Sequence, residues 1–189
     1  MATYSTWNPL DKSAVITLSG GNLTAAADGS NWGGVRATDA YKSSGKWYWE
    51  VTVNTVGSPK IGVLTDAGSV ATGNYVGNSA FGWAIDDLGY KWHSATQTAY
   101  AGVSIDGKVV SVLLDLNGGT IGFWVNGTDY GTAYSSLSGN FLPAFSGGFV
   151  VSNITANFGA TAFSYTPPVG YNAGWFTGDT FVGFNISLV

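Results

Sequence analysis

The chain has few of the side chains on which enzymatic catalysis and metal binding usually depend. Its 189 residues include no cysteine, one histidine (His93) and one glutamate (Glu50). The absence of cysteine excludes a disulfide framework and a thiolate catalyst. A structural zinc site requires several histidine or cysteine ligands, which this sequence cannot supply. We therefore expect a protein that is not an enzyme and that carries no cofactor and no metal.

Adjacent carboxylates, which could act together as an acid and a base, are also scarce. Asp86 and Asp87 form the only such pair in the sequence. At the end of a strand the two side chains would diverge, so hydrolysis of a glycosidic bond would require a distant partner. We interpret the pair as turn or loop residues, with a glycosidase and a calcium site as the alternatives.

Positive charge is scarce as well. Seven lysines and arginines stand against eleven aspartates and glutamates, which gives a net charge of −4 and an isoelectric point of about 4.5. Binding to a nucleic-acid backbone requires clustered cations, so we expect no nucleic-acid partner. No apolar run approaches the roughly 20 residues of a membrane span, and the N terminus shows no signal-peptide pattern. We expect no membrane insertion and synthesis in the cytoplasm.

Glycine and aromatic residues are abundant instead. The sequence contains 28 glycines, 15% aromatic residues and only 10% charged residues. Glycine supplies the backbone angles of tight turns, and aromatic side chains suit pleated surfaces. No segment longer than a few residues keeps an apolar repeat at helical spacing. Together with a length that fits one domain, this composition predicts an all-β fold with few or no helices.

A β-hairpin pattern lies between Ser111 and Tyr134. Apolar residues alternate on either side of a turn at Asn117 to Gly119. They are Val110, Val112, Leu114 and Leu116 before the turn and Ile121, Phe123 and Val125 after it. Asn126-Gly127 tolerates positive φ at both central positions of a second turn, which leads into a short strand around Asp129 to Gly131. The segment predicts three antiparallel strands.

The same residues resemble the central signature of SPRY domains. Leu114 to Tyr134 has the form L-D-L, turn, G-T-I-x-F-x-x-N-G-x-x-x-G-x-A and an aromatic residue. Other segments of the family occur in matching order and spacing. They are WNPLDKS (7–13), GKWYWEVTV (45–53), KIGVLT (60–65), YVGNSAFGWAIDDLGYKWH (75–93), LPA (142–144) and ITANFG (154–159). Each motif is weak alone, but the ordered set resembles the family from about residue 7 to residue 171.

The resemblance implies an antiparallel β-sandwich of the SPRY or concanavalin-like type. We assign residues 1–171 to this domain, including an N-terminal extension, and residues 172–189 to a C-terminal strand or extension. From Asp179 to Val189, apolar side chains alternate on one face, which predicts a strand that joins a sheet edge of the same domain or of a neighbouring chain. A homo-oligomer formed through this strand is a further expectation.

The resemblance also implies a non-catalytic module that binds a protein or peptide through loops at one end of the sandwich. By position, these loops are Ala25 to Trp32, the region of Tyr75, and Gly147 to Phe149. The candidate partner-binding residues are Asp28, Asn31, Trp32, Tyr75, Gly147, Gly148 and Phe149. Peptide-binding relatives have an arginine and a proline in the first loop, where this chain reads AAADGSNW, so their peptide specificity does not transfer.

Aromatic residues fall into two groups by their neighbours. One group lies in predicted strands with apolar neighbours, and we expect its members in the core. These are Trp47, Trp49, Trp83 and Trp124. The other group is Trp32, Tyr75 and Phe149, which lie beside glycine-rich turns. Rigid rings left at the surface in such loops serve as binding anchors.

Three settings remain open for such a module. The amino-acid composition is rich in Gly, Ser, Thr, Asn and Ala and resembles that of bacteriophage and other microbial tail or surface proteins. This resemblance predicts a component displayed on a virion. A lectin-like module that binds a surface glycan is the first alternative, because loop aromatics with Asn and Asp can hold sugars. A structural subunit that assembles through its sheet edges is the second.

Overall fold

The computed structural model describes residues 2–55 and 57–178. All regular secondary structure in these ranges is β, with seventeen strands and no helix. Two large sheets lie face to face, because their inner side chains form one common core. Val35, Ile61 and Ile85 enter this core from one sheet, and Val51 and Phe123 enter it from the other. The prediction of an all-β sandwich is confirmed.

The first large sheet, sheet I, contains seven strands. They are β2 (Trp7–Lys12), β5 (Gly33–Ala37), β7 (Lys60–Thr65), β8 (Gly82–Asp86), β9 (Lys91–His93), β10 (Thr96–Thr98) and β14 (Phe141–Gly147). Their spatial order is β10-β9-β8-β7-β14-β5-β2, and neighbouring strands are antiparallel. The connections at the two ends of β7, β8 and β14 therefore lie at opposite ends of the sandwich.

The second large sheet, sheet II, contains eight strands. They are β3 (Ile16–Ser19), β4 (Thr24–Ala27), β6 (Lys46–Thr55), β11 (Val109–Asp115), β12 (Thr120–Val125), β13 (Thr128–Tyr134), β15 (Ser152–Asn157) and β16 (Asn172–Ala173). The order is β13-β12-β11-β6-β15-β4-β3, and β16 pairs with β6 in parallel. A small third sheet joins β1 (Thr3–Tyr4) to β17 (Phe176–Thr177).

The β11–β12 hairpin shows how the alternating pattern builds the core. Val112 lies opposite Phe123, and Leu114 lies opposite Ile121. All four side chains are fully buried. The following turn has positive φ at both central residues, as predicted, with values of 48° at Asn126 and 76° at Gly127. The hairpin is confirmed, and its third strand, β13, is longer than the sequence indicated.

The pairing of β12 with β13 is irregular, and a side chain fills the gap. The register shifts on both sides of Gly122, so backbone partners are missing there. The Tyr100 hydroxyl accepts the N–H of Phe123 at 3.1 Å and donates to the carbonyl of Gly131 at 2.5 Å. Tyr100 follows β10 of sheet I, so this hydroxyl links the two sheets. Its burial raises the pKa of Tyr100 to about 12.

The expectation that Trp124 packs in the core is wrong. Its neighbour Phe123 points inward, and adjacent side chains of a strand alternate, so Trp124 lies on the outer face of sheet II. There its ring contacts Tyr48, with 6.0 Å between ring centroids. Trp49 is fully buried as expected, and Trp47 and Trp83 are partly buried against the core.

A segment after β15 covers this outer face. Phe163 packs edge-on against Tyr48, with ring centroids 5.0 Å apart, and Tyr48 is fully buried. The carboxylate of Glu50 accepts the N–H groups of Ser164 and Tyr165, each at 2.8 Å. It also accepts the hydroxyl of Tyr48 at 2.8 Å. The lone glutamate of the chain therefore anchors this covering segment to sheet II.

Two of the predicted loops are shorter than expected. β4 runs through Ala27, which pairs with Ser152 of β15, so the first loop begins at Asp28 rather than at Ala25. β14 runs through Gly147, which pairs with Gly33, so Gly147 is a strand residue. In both cases long-range pairing extends a strand beyond the boundary that local sequence indicates.

The C-terminal extension pairs with the rest of the chain as far as it is described. β16 adds to β6 and β17 pairs with β1. Trp175 between them is fully buried and contacts the rings of Trp47 and Trp49. The strand predicted from Asp179 to Val189 lies outside the described residues. The domain boundary at residue 171 and the assembly role of that strand stay predictions.

Candidate partner-binding site

The β4–β5 and β14–β15 connections meet the middle of the long β7–β8 connection at one end of sheet I, and the register of the strands determines which residues adjoin. Gly33 opens β5 opposite Gly147, the last residue of β14, so Trp32 and Gly148 become neighbours. The long β7–β8 connection is fixed beside them. Its Gly73 N–H donates to the carbonyl of Trp32 at 2.8 Å, and its Val76 N–H donates to the buried Ser146 hydroxyl at 3.0 Å.

Trp32, Tyr75 and Phe149 form a contiguous cluster, named here the aromatic surface. The ring centroids of Trp32 and Tyr75 are 4.6 Å apart, and those of Trp32 and Phe149 are 6.3 Å apart in an edge-to-face arrangement. A Cβ at Gly148 would lie 2.8 Å from the Trp32 ring, so only glycine lets the ring lie against the backbone there. The structure thus brings together the three rings that the sequence singled out.

The apolar surface extends beyond these three rings. Phe149 is 64% exposed, and the next two residues, Val150 and Val151, are 55% and 52% exposed. Sequence reasoning missed the two valines. The signal was available, because three consecutive apolar residues directly follow the Gly147-Gly148 pair. Exposed apolar patches of this kind mark interaction sites on soluble domains.

A buried cation lies beneath the aromatic surface. The Lys60 ammonium is 3.9 Å from the ring centroid of Trp92, 5.3 Å from that of Trp32 and 5.5 Å from that of Tyr75. Lys60 is only 4% exposed. Burial lowers its pKa to about 8, opposed by the nearby charge of Asp86. Sequence reasoning missed Lys60, since only the fold places this strand residue under rings from three separate segments.

The Asp86-Asp87 pair has a structural role in this arrangement. Asp86 lies opposite Lys60 in the β7–β8 ladder, with 3.9 Å between the ammonium and the carboxylate. Both oxygens of Asp86 accept further bonds, from the N–H groups of Leu88 and Tyr90 and from the side chains of Trp92 and Gln97. Burial is the main cause that raises the pKa of Asp87. A carboxylate occupied in this way closes a turn, as the sequence interpretation held.

Asp28 and Asn31, the polar candidates, shape the first loop. Asp28 accepts the hydroxyl and the N–H of Ser30, and these bonds lower the pKa of Asp28. Asn31 accepts the N–H of Trp32 at 2.8 Å. Both side chains thereby fix the approach of the chain to Trp32. Their contact with a partner stays a prediction.

Two other kinds of site are absent from the part of the chain that the structure describes. No group of three or more His, Asp or Glu side chains there could hold a metal ion. Among the same residues, no helix is long and apolar enough to cross a membrane.

Comparison with known proteins supplies the family. The family model described as the SPRY domain matches residues 46–161. The chain is 28% identical over 142 residues to the ATP-dependent RNA helicase Ddx1 of Drosophila melanogaster, 74% of this chain and 19% of that protein. It is 31% identical over 124 residues to the probable helicase ddx1 of Dictyostelium discoideum, 65% of this chain and 16% of that protein. The chain spans about a fifth of the length of these curated relatives.

Solved structures show the same fold. The SPRY domain of human HERC1 superposes with a TM-score of 0.68 at 16% identity, covering 79% of this chain and 96% of that one. The TRIM65 PSpry domain gives 0.67 at 20% identity, with 82% and 92% covered. Stonustoxin gives 0.66 at 23% identity, covering 82% of this chain and 27% of that one.

Proposed function

Because the chain belongs to the SPRY domain family, we propose that it is a non-catalytic module that binds a protein or peptide partner on the aromatic surface. SPRY domains are generally protein–protein interaction modules. The observation that carries the proposal is the contact of Trp32 with both Tyr75 and Phe149, which come from three separate connections. The fold gathers these rings although none of them belongs to the core.

The rings are held in place before any partner arrives. Trp32 is fixed by its contacts with Gly148 and Tyr75, and Tyr75 also packs edge-on against Trp92, with ring centroids 5.7 Å apart. Pre-ordered side chains lose little conformational entropy when they bind. Aromatic anchors of this kind contribute most of the binding energy in many interfaces.

The partner presents an apolar side chain to this surface. Phe149, Val150 and Val151 offer consecutive exposed apolar groups. Lys60, under the rings of Trp32 and Tyr75, is buried beside Asp86. The cation is thus partly neutralised within the domain. An apolar or aromatic side chain from the partner would shield these exposed groups from water. Burial of apolar surface is the dominant favourable term in most protein–protein association.

The activity of the helicase relatives is not carried over, because the chain matches only about a fifth of their length. Display on a virion remains part of the proposal, and its support is the amino-acid composition of the chain. The relatives named above come from an insect and a social amoeba and give that setting no support.

The proposal is tested by affinity capture with the full chain. The Tyr75→Ala variant should bind its partner about 1 to 4 kcal/mol more weakly, the range of interface hot spots, while keeping its fold. Leu10→Ala is the matched control, because Leu10 is 95% exposed, belongs to the edge strand β2 and is not part of the aromatic surface. Equal retention of every captured partner by the Tyr75→Ala and Leu10→Ala proteins would contradict the proposal.

A further inference from the structure

A cavity lies at the opposite end of sheet I from the aromatic surface. It has a volume of about 350 Å³ and is lined by Thr65, Asp66, Phe81, Trp83 and Ser138, among others. Thr65 ends β7 and Trp83 is near the start of β8, whereas the aromatic surface lies at the other ends of these strands.

The rim of the cavity carries a carboxylate–amide pair, formed by the lining residue Asp66 and by Asn140, which follows the lining residue Gly139. The Asn140 side-chain amide donates to Oδ2 of Asp66 at 3.0 Å, and the Asp66 N–H donates to the backbone carbonyl of Asn140 at 3.2 Å. Within the described residues, Oδ1 of Asp66 and Oδ1 of Asn140 accept no hydrogen bond. The pair therefore offers free acceptors and an amide donor in a fixed relation.

The loop that carries Asp66 is held rigidly from below. The guanidinium of Arg36, the lone arginine, donates to the carbonyls of Thr65 at 3.1 Å and Gly68 at 2.8 Å. Its other nitrogens bind both carboxylate oxygens of Asp11. A loop tied on either side of Asp66 keeps that carboxylate in one place, as recognition of a small ligand requires.

Hydroxyl groups also line the cavity. Ser136 and Ser138 each contribute one hydroxyl to the lining. Thr65 lines the cavity too, but its Oγ1 atom is shielded from solvent, so the ligand does not contact that atom.

The composition of the lining selects the chemistry of the ligand. No lysine or arginine lines the cavity, so it does not suit phosphates or carboxylates. Phe81 is 45% exposed and provides an apolar ring beside the polar rim. A sugar ring combines an apolar C–H face with hydroxyls that both donate and accept. The volume is at the small end of ligand pockets and suits one such ring.

We propose that this cavity is a binding site for a single neutral hexose unit of a glycan. Phe81 packs against the C–H face of the sugar, and the Asp66–Asn140 pair binds two neighbouring hydroxyls. The site shares no residue with the aromatic surface, so its test and the test of protein binding can fail separately.

Titration of the ¹⁵N-labelled full chain with methyl glycosides tests this assignment by NMR. The panel contains glucose, galactose, mannose, fucose and N-acetylglucosamine. At least one glycoside should cause saturable shifts of the Asn140 side-chain amide and of the amides of Thr65 and Phe81. Asp66→Asn and Phe81→Ala should each weaken that binding about tenfold or more, since each removes one of the two contact types. Phe149→Ala, at the other end of sheet I, should leave it unchanged.

Three results would overturn the assignment. The first is the absence of a saturable shift with every glycoside. The second is a shift that persists in both Asp66→Asn and Phe81→Ala, because it would then arise elsewhere. The third is a saturable response to Nα-acetyl-lysine methyl ester, whose side chain is cationic, with no response to any glycoside. The cavity would then be a site for a cationic side chain. Unchanged backbone amide shifts distant from the cavity establish that each variant is folded.

Discussion

The two ends of sheet I are built on the same three central strands, yet their chemistry differs. At one end, Lys60 is buried under aromatic rings and the outermost residues are apolar. At the other, Arg36 ties down a loop whose rim is a carboxylate–amide pair. Lys60 is buried and Arg36 is largely buried, and each cation organises the groups above it. The difference teaches that one set of strands can carry two unlike surfaces, because different connections cover its two ends.

The largest effect should come from a change that both ends share. Phe123 is fully buried in the core between the sheets. Phe123→Ala should lower the free energy of unfolding by about 3 to 5 kcal/mol, as truncation of a buried aromatic side chain does. Denaturant melts followed at Trp fluorescence provide the measurement. A loss below about 1 kcal/mol would mean that the Phe123 side chain does not point into the core and that the register of β12 differs from the one described.

A smaller effect should be confined to the polar end. Arg36→Ala removes the donors to Asp11 and to the carbonyls of Thr65 and Gly68 and should destabilise by about 2 kcal/mol, because Asp11 keeps partial access to water. Hydrogen exchange should speed up at Gly68, whose N–H donates to Thr65, and not at Val76 of the aromatic end.

Arg36→Lys is the matched control for this variant. It keeps the charge but loses the planar fork, so its stability should lie between those of wild type and Arg36→Ala. Equal acceleration of exchange at Gly68 and Val76 would show that the two ends are not independently organised.

The buried Lys60 at the aromatic end should make the free energy of unfolding depend on pH. Burial lowers the pKa of Lys60 to about 8, whereas an unperturbed lysine has a pKa of 10.5. Between these values the unfolded chain binds a proton that the folded chain lacks, so the free energy of unfolding rises with pH, by about 1 kcal/mol per unit. Burial of the charged Lys60 therefore lowers the free energy of unfolding below about pH 8. This loss is relieved as the pH rises from about 8 towards 10.5, because the folded protein releases the proton.

Tyrosines act in the opposite direction but outside this window. Burial raises the pKa values of Tyr100 and Tyr134 to about 12, so their contribution declines only above about pH 10. Lys60→Met should therefore lack the rise that wild type shows between pH 8 and about pH 10. Parallel stability profiles of the two proteins over this range would exclude the assigned protonation of Lys60.

The smallest effects should come from the exposed rings themselves. Phe149 is 64% exposed at one end and Phe81 is 45% exposed at the other. Phe149→Ala and Phe81→Ala should each change the free energy of unfolding by less than about 0.5 kcal/mol in denaturant melts. A loss above about 2 kcal/mol for either would identify that ring as part of the packing rather than as a contact surface.

Features fixed by neighbouring residues were the ones that sequence predicted well. The β11–β12 hairpin follows from side chains that alternate every second residue, and the Asn126-Gly127 turn follows from tolerance of positive φ. The position of the aromatic surface came from resemblance to SPRY domains, because loops carry no periodic signal of their own.

Features fixed by long-range pairing were the ones that sequence could not supply. Lys60 becomes a buried cation only because β14 and β8 flank it and rings from distant segments cover it. The apolar neighbours of Trp124 predicted a place in the core. They do not reveal that the segment around Phe163 covers the outer face of sheet II, where Trp124 lies. Likewise, nothing near Asp66 in the sequence announces its pairing with Asn140.

The Tyr100 hydroxyl has a consequence for the order of folding. A hairpin normally completes its hydrogen bonds from its own two strands and can do so early and locally. Here the N–H of Phe123 and the carbonyl of Gly131 meet only through a side chain that follows β10. We therefore expect the β12–β13 pair to acquire its final register only when the segment around Tyr100 docks. Completion of this hairpin would then depend on a contact with a residue outside its own two strands.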